Sequence, residues 1–124
     1  MTAPLFMDSM EAAVDHVLDT IPGDIVLGIP LAVGKPNPFV NALYRRIKAN
    51  PARKLRIITA LSLIKPVGKS DLEKHFLEPL VERVFGDYPD LEYAVDLRAH
   101  ALPPNIEVCE FFMKTGDYIG NRSE

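Results

Sequence analysis

The feature that most constrains the fold is a pair of apolar runs separated by one helix-like segment. Residues 25–29 are apolar at nearly every position, and residues 55–63 are rich in branched aliphatic side chains. Near-continuous apolar runs of this kind are typical of strands covered on both faces in a parallel sheet. Between them, apolar residues recur at helical spacing after Asn37, which can cap a helix, and Pro38, which suits its first turn. The order predicts a right-handed, parallel strand–helix–strand unit.

The flanking segments predict three more helices and one more strand. Residues 10–21 have an amphipathic pattern with Asp8 or Ser9 as the cap. Residues 93–102 predict a short helix, and residues 106–113 predict a third strand with an exposed end. The sequence therefore indicates an α/β fold, an open and mostly parallel sheet with flanking helices.

The third helix begins at a capping box formed by Ser70 and Glu73. Pro79 predicts a kink or two short helices, because proline cannot donate the backbone hydrogen bond. We expect its apolar residues to face the core: Leu72, Phe76, Leu77, Leu80, Val81, Val84 and Phe85. Three strands make a thin sheet, so we expect further chain or a partner to continue it.

Length and cysteine content limit the class of protein. A chain of 124 residues can bury one hydrophobic core but hardly two. Its longest apolar stretch, residues 25–33, is too short to cross a bilayer, and its first residues do not have the pattern of a secretory signal. We therefore expect a cytoplasmic protein without a membrane partner. Cys109 is the single cysteine, and we expect it to be a small buried strand residue.

Charge is unevenly distributed along the sequence. Residues 25–70 contain nine lysines and arginines and no acidic residue, whereas the whole chain has a net charge of −3. Such segregation can attract anions to one part of the surface, or it can be a solvated helix face beside an acidic one. The basic block consists of Lys35, Arg45, Arg46, Lys48, Arg53, Lys54, Arg56, Lys65 and Lys69.

The candidate ligand site is the turn at residues 34–37, between the first strand and its helix. Ligands of open α/β sheets bind at the carboxyl ends of strands, where glycine permits close backbone approach and a helix N-terminus offers free N–H groups. Lys35 would add a positive charge. The alternative is an ordinary turn, in which Gly34 supplies a positive φ and Asn37 with Pro38 starts the helix.

The other motifs are weaker indications of a functional site. Residues 68–70 resemble the end of a phosphate-binding loop, but Leu63 stands where that motif needs glycine. The three histidines lie far apart, so we expect no metal site and no catalytic triad. Glu107 and Glu110 could serve as an acid or a nucleophile, or they could lie on a solvated strand face.

Three segments, in this order, resemble the N-terminal domain of the acetyl-CoA hydrolase/transferase family: GIPLAVGKPNPFVNALYRRIKANPARKLRIITALSL, SDLEKHFLEPLVERVFGDYP and DLRAHALPPNIEVCEFFMKTGDYIGN. The resemblance covers residues 24–121. It implies a CoA-transferase-like fold in which residues 1–124 form the first of two related α/β domains, with acyl-CoA bound between them. The implied reaction is hydrolysis of acetyl-CoA, or transfer of CoA to a carboxylate.

The resemblance also implies how the reaction is divided between domains. The family's nucleophilic glutamate belongs to the second domain, so no residue here is expected to be catalytic, and the chain alone is expected to be inactive. The residues expected to approach acyl-CoA are Gly34, Lys35, Pro36 and Asn37. Residues 116–121 resemble the segment that leads to the domain interface. Coenzyme A is the substrate and no cofactor is implied.

We also expect a homo-oligomer. Two alternatives from other classes stay open: a non-catalytic module in which the basic block binds nucleic-acid phosphates, and an enzyme similar to sugar-phosphate isomerases that shares the fold. Against the first, the chain as a whole is acidic and its basic residues are not interleaved with exposed aromatic side chains.

Overall fold

The computed structural model describes residues 3–111 and contains a three-stranded sheet with four helices. A short 3₁₀ turn, Ala32–Gly34, follows the first strand. The elements in chain order are α1 (Met10–Thr20), β1 (Ile25–Gly28), α2 (Asn37–Lys48), β2 (Leu55–Thr59), α3 (Asp71–Phe85), α4 (Glu92–Arg98) and β3 (Ile106–Glu110). The predicted α/β class and the predicted elements are confirmed, although β2, α4 and β3 end earlier than expected.

The sheet has the order β1-β2-β3, and both neighbouring pairs are parallel. Its register aligns Val26 with Arg56 and Arg56 with Glu107. Two residues further along β2, Ile58 lies between β1 and β3. The parallel strand–helix–strand unit is therefore confirmed.

The core lies on one face of this sheet, between the strands and helices α1, α2 and α4. Val14 of α1 and Leu43 of α2 are fully buried there, as is Ile57 of β2. The fully and largely buried apolar side chains of this core are Val14, Ile25, Val40, Ala42, Leu43, Tyr44, Ile47, Leu55, Ile57, Leu91, Tyr93, Ala94 and Ile106.

The opposite face of the sheet is open in the described part of the chain. Val26 is 64% exposed and Ile58 is 40% exposed, and Arg56 pairs with Glu107 at 2.8 Å on the same face. Cys109 is also exposed. The expectations that both strands are covered on two faces and that Cys109 is buried are wrong. When strand order follows chain order, right-handed crossovers place their helices on one face only.

Helix α3 differs most from its prediction. Its capping box is confirmed: Ser70 Oγ accepts from Glu73 N at 3.2 Å, and Glu73 Oε2 accepts from Ser70 N at 3.2 Å. Pro79 lies inside one continuous helix, so of the two predicted outcomes the pair of short helices does not occur. No side chain of α3 is buried. The expectation that its apolar residues face the core is wrong for the exposed residues Leu72, Phe76, Leu80 and Val84. The 3.6-residue period identifies an apolar stripe but not what covers it.

Helices α2 and α4 are joined by a small polar network around Asp96. Asp96 Oδ2 accepts from Lys48 Nζ at 2.5 Å and from Tyr44 Oη at 2.6 Å. The hydrogen bond from Lys48, followed by that from Tyr44, lowers the pKa of Asp96.

Among residues 3–111, no helix is long and apolar enough to span a membrane.

Replacing Tyr44 with phenylalanine should raise the pKa of Asp96 and leave it below its ordinary value, because the contact with Lys48 remains. Since the folded pKa is lowered, Asp96 contributes stability above its unfolded pKa and loses that contribution as the pH falls through the folded value. A carboxyl ¹³C NMR titration measures this pKa. Tyr88→Phe is the control and should not change it. An identical Asp96 titration in Tyr44→Phe would contradict the assignment.

Candidate ligand site at the carboxyl edge of the sheet

The loops that follow β1 and β2 meet at the carboxyl edge of the sheet, where the ligand turn was predicted. Each contains a non-glycine residue with positive φ: Ala32 at 47° and Leu61 at 52°. Such backbone is unfavourable for residues with a Cβ, and it is held only where surrounding contacts fix it. Backbone strain of this kind is often found at functional sites, which favours this edge as the candidate site.

Lys35 joins these two loops. Its Nζ donates to Ala60 O at 2.7 Å and to Leu61 O at 3.2 Å, and the residue is only 6% exposed. Burial lowers the pKa of Lys35, and the nearby charge of Glu110 acts in the opposite direction. The ammonium group therefore donates hydrogen bonds to backbone carbonyls of the loop after β2. From the sequence, we expected its charge to face a ligand.

Gly34 lies on the exposed surface beside Lys35 and does not have a positive φ. A Cβ added at Gly34 would lie 3.6 Å from Pro30 Cβ, an ordinary van der Waals distance. The fold therefore has room for a small side chain here, and the explanation of Gly34 as a positive-φ turn residue is wrong. Pro36, also exposed, directly precedes α2.

Asn37 has a structural contact that the sequence did not reveal. It is 1% exposed, and its Nδ2 donates to Pro89 O at 2.7 Å. Its side chain makes no capping hydrogen bond to α2, so the predicted cap is wrong. One turn later, Asn41 donates to Asp90 O at 2.8 Å and accepts from Glu92 N at 3.0 Å. The two asparagines hold the segment before α4 against α2.

Several buried polar groups at this edge were missed by sequence reasoning. Ser62 Oγ and Tyr93 Oη lie 2.8 Å apart, and Glu110 Oε1 accepts from Ser62 N at 2.6 Å. Burial raises the pKa of Tyr93. Thr59 is also buried there. The signal in the sequence was a threonine and a serine inside an otherwise apolar run.

The polar side chains of this edge bond to each other or to the backbone. The hydroxyls of Ser62 and Tyr93 bond to each other, and Glu110 accepts the backbone N–H of Ser62, so among the described residues neither hydroxyl is hydrogen-bonded to a carboxylate or an imidazole. Glu107 is paired with Arg56, which lowers the pKa of Glu107 and keeps it ionised. The part of the chain that the structure describes has no cluster of three side chains suited to a metal.

The turn at residues 68–70 is not available to a phosphate. Glu73 Oε2 accepts from Lys69 N at 2.7 Å as well as from Ser70 N. These are backbone N–H groups that an anion at this helix terminus would need. The segment 116–121, which resembles the approach to the domain interface, lies outside the described residues.

Most of the basic block is paired within the fold. Arg45 forms an ion pair with Glu92, Arg46 with Asp15 at 2.6 Å, and Lys48 with Asp96. Arg53 donates to three backbone carbonyls, including Leu18 O at 3.0 Å. Charges that are separated in the sequence are thus interleaved in space, because α1 and α4 bring acidic residues onto α2.

Comparisons of the chain with protein-family models, with curated proteins and with solved structures found no match.

Proposed function

We propose that this chain is the first α/β domain of an enzyme that hydrolyses acetyl-CoA or transfers CoA between an acyl-CoA and a carboxylate. Its role is to present the carboxyl edge of the sheet, with the turn at residues 34–37, to the acyl-CoA. The nucleophilic glutamate belongs to a second domain. The observation that carries the proposal is the pair of strained loops, around Ala32 and Leu61, held together at this edge by Lys35.

The geometry of the turn supports a backbone-mediated contact. Gly34 is exposed, and the fold does not require it to be glycine, so close approach of a ligand is a reason for its presence. Lys35 acts as a positioning residue in this proposal, because its ammonium group fixes the loop after β2. Binding then depends on the shape of the two loops and on the close backbone approach that Gly34 permits.

The nucleic-acid alternative has less support. Three cations of the basic block pair with acidic side chains of α1 and α4, and Arg53 is bonded to backbone carbonyls. Nucleic-acid binding needs several cations directed at phosphates. An enzyme similar to sugar-phosphate isomerases would bind its ligand at the same edge of the sheet. Only the identity of the ligand distinguishes this alternative from the proposed function.

The test is a titration of the ¹⁵N-labelled chain with acetyl-CoA, followed by amide chemical shifts. We expect shifts of the amide signals of Gly34, Lys35, Asn37 and residues 60–62, and no turnover. Gly34→Val should remove these shifts without lowering the melting temperature, because the fold accommodates a side chain there. The control, Arg45→Ala, breaks only an exposed ion pair and should keep them.

Three results would contradict this proposal. Acetyl-CoA turnover by the purified chain would show that a nucleophile lies within it. Shifts with ribose 5-phosphate but not with acetyl-CoA would favour the isomerase-like alternative. Unchanged shifts in Gly34→Val would place the ligand elsewhere.

A further inference from the structure

Helix α3 lies outside the hydrophobic core. Among the described residues of the chain, no side chain of α3 is buried, and none belongs to the core or packs against it. The crossover from β2 to β3 takes its core residues from α4 and the residue before it, since Leu91, Tyr93 and Ala94 are buried. The sheet and helices α1, α2 and α4 therefore form a core that does not require α3 for its packing.

The polar contacts of α3 are local as well. Its capping box joins residues 69–73, and Lys74 pairs with Asp71 at 3.8 Å. In the part of the chain that the structure describes, no side chain of α3 forms a hydrogen bond or an ion pair with a residue outside 69–74. These contacts stabilise the first turn of the helix and do not join the helix to the core.

The two ends of the segment that carries α3 meet at one place. Lys65 N donates to Asp90 Oδ1 at 3.0 Å, and Lys65 Nζ donates to Gly86 O at 3.0 Å. Asp90 is in turn held on α2, because its carbonyl group accepts from Asn41 Nδ2 at 2.8 Å. Residues 66–88 therefore form a helical insert, which leaves the domain and returns to it at a closed base.

The helical insert is held in place by few interactions. Leu77 and Val81 are half-buried and line a cavity of about 570 Å³ between α3 and residues 65–68, so packing beneath the helix is incomplete. A 15-residue helix is only marginally stable by itself in water. Pro79 lowers its stability further, because it donates no backbone hydrogen bond inside the helix. Opening of α3 therefore loses much less stabilising contact than unfolding of the core does.

We propose that the helical insert opens as a separate unit while the sheet and helices α1, α2 and α4 stay folded. The opening unwinds α3, breaks its contact with residues 65–68 and exposes Leu77 and Val81. Local unfolding follows the weakest group of contacts, and here that group is separate from the core. Helix α3 thereby controls access to the apolar lining of the cavity. The inference does not depend on the proposed function, because the insert contains no residue of the turn at 34–37.

Native-state hydrogen exchange of the full chain in increasing urea tests this opening. The amides of Val81 and Val84 in α3 should be protected at least about a hundredfold less than the amide of Ile57 in β2, because only Ile57 requires global unfolding. Exchange in α3 should also depend less on urea, because opening the insert exposes less surface than global unfolding. Equal protection of the two groups of amides would overturn the proposal.

Two variants separate local opening from unfolding of the whole domain. Ile47→Val, in the core, should lower the protection of Ile57 about threefold or more and leave the protection of α3 unchanged. Pro79→Ala should raise the protection of α3 about tenfold or more, because alanine restores the backbone donor and favours the helix. A parallel fall at α3 and Ile57 in Ile47→Val, or no change at α3 in Pro79→Ala, would contradict separate opening.

Limited proteolysis gives an independent measurement. Trypsin should cleave the folded chain after Lys74 and Arg83 of α3 before it cleaves within α2, because cleavage follows the population of the open form. Pro79→Ala should slow cleavage in α3 by the same factor as amide exchange, and Ile47→Val should leave it unchanged. Cleavage in α3 and α2 at the same rate would show that only the whole domain opens.

Discussion

Replacing Lys35 with methionine is expected to lower the free energy of unfolding by about 2–4 kcal/mol, because two carbonyl groups lose their buried donor. Methionine retains most of the apolar stem, so the loss reports the contacts of Nζ with Ala60 O and Leu61 O. Urea denaturation measures the change. The matched control is Lys54→Met, at an exposed lysine of the same basic block, which should change stability by less than about 0.5 kcal/mol.

The pH dependence of stability gives a second measurement on Lys35. Burial lowers its pKa, so the unfolded chain binds this proton more tightly than the folded chain does. The free energy of unfolding should therefore rise with pH between the folded pKa and the unfolded value of 10.5, and Lys35→Met should lose that rise. Equal stability of Lys35→Met and the wild type would contradict the structural role of this lysine.

The elements of the fold were predictable where local signals and tertiary structure agree. The apolar runs at β1 and β2, the caps at Ser9 and Ser70, and the amphipathic pattern of α2 each depend on a few neighbouring residues. A capping box is satisfied within four residues, whatever packs against the helix. Such features can be recognised from the sequence because they do not require knowledge of the rest of the fold.

Burial was less predictable, because it depends on elements that are distant in the sequence. An apolar strand run does not reveal whether one face or two are covered, and Val26 is exposed although its run is apolar throughout. Phe76 is exposed for the same reason: helical periodicity defines a face but not its partner. The homo-oligomer stays a prediction, because exposure of Val26 and Phe76 does not show what covers them.

The sequence located the turn at residues 34–37 at the carboxyl edge of the sheet, but not the contacts that its side chains make there. The rule for parallel sheets locates loops at the carboxyl edge from strand order alone. It does not say that the ammonium group of Lys35 bonds the loop after β2, or that Asn37 bonds Pro89 O. Both contacts join residues at least 25 positions apart in the sequence, and spacing within a motif carries no information about them.

The stability of the segment between α3 and α4 should depend strongly on one asparagine of α2. Replacing Asn41 with alanine is expected to lower the free energy of unfolding by about 2–3 kcal/mol, because it removes a donor to Asp90 O and an acceptor from Glu92 N. Glu92 is the first residue of α4, and Leu91 before it supplies no side-chain cap, so the Asn41 side chain acts as the cap from another helix. Losing a cap costs about 1 kcal/mol by itself.

Two further variants separate this role from a general effect of removing an amide. Asn37→Ala breaks one hydrogen bond in place of two and should cost less than Asn41→Ala. Asn50→Ala, at an exposed turn, should cost less than either. Chemical denaturation ranks the three, and hydrogen exchange at Glu92 N should accelerate in Asn41→Ala because this amide loses its acceptor. If Asn41→Ala were as stable as Asn50→Ala, or if exchange at Glu92 were unchanged, the contact between α2 and α4 would not be the one that the structure shows.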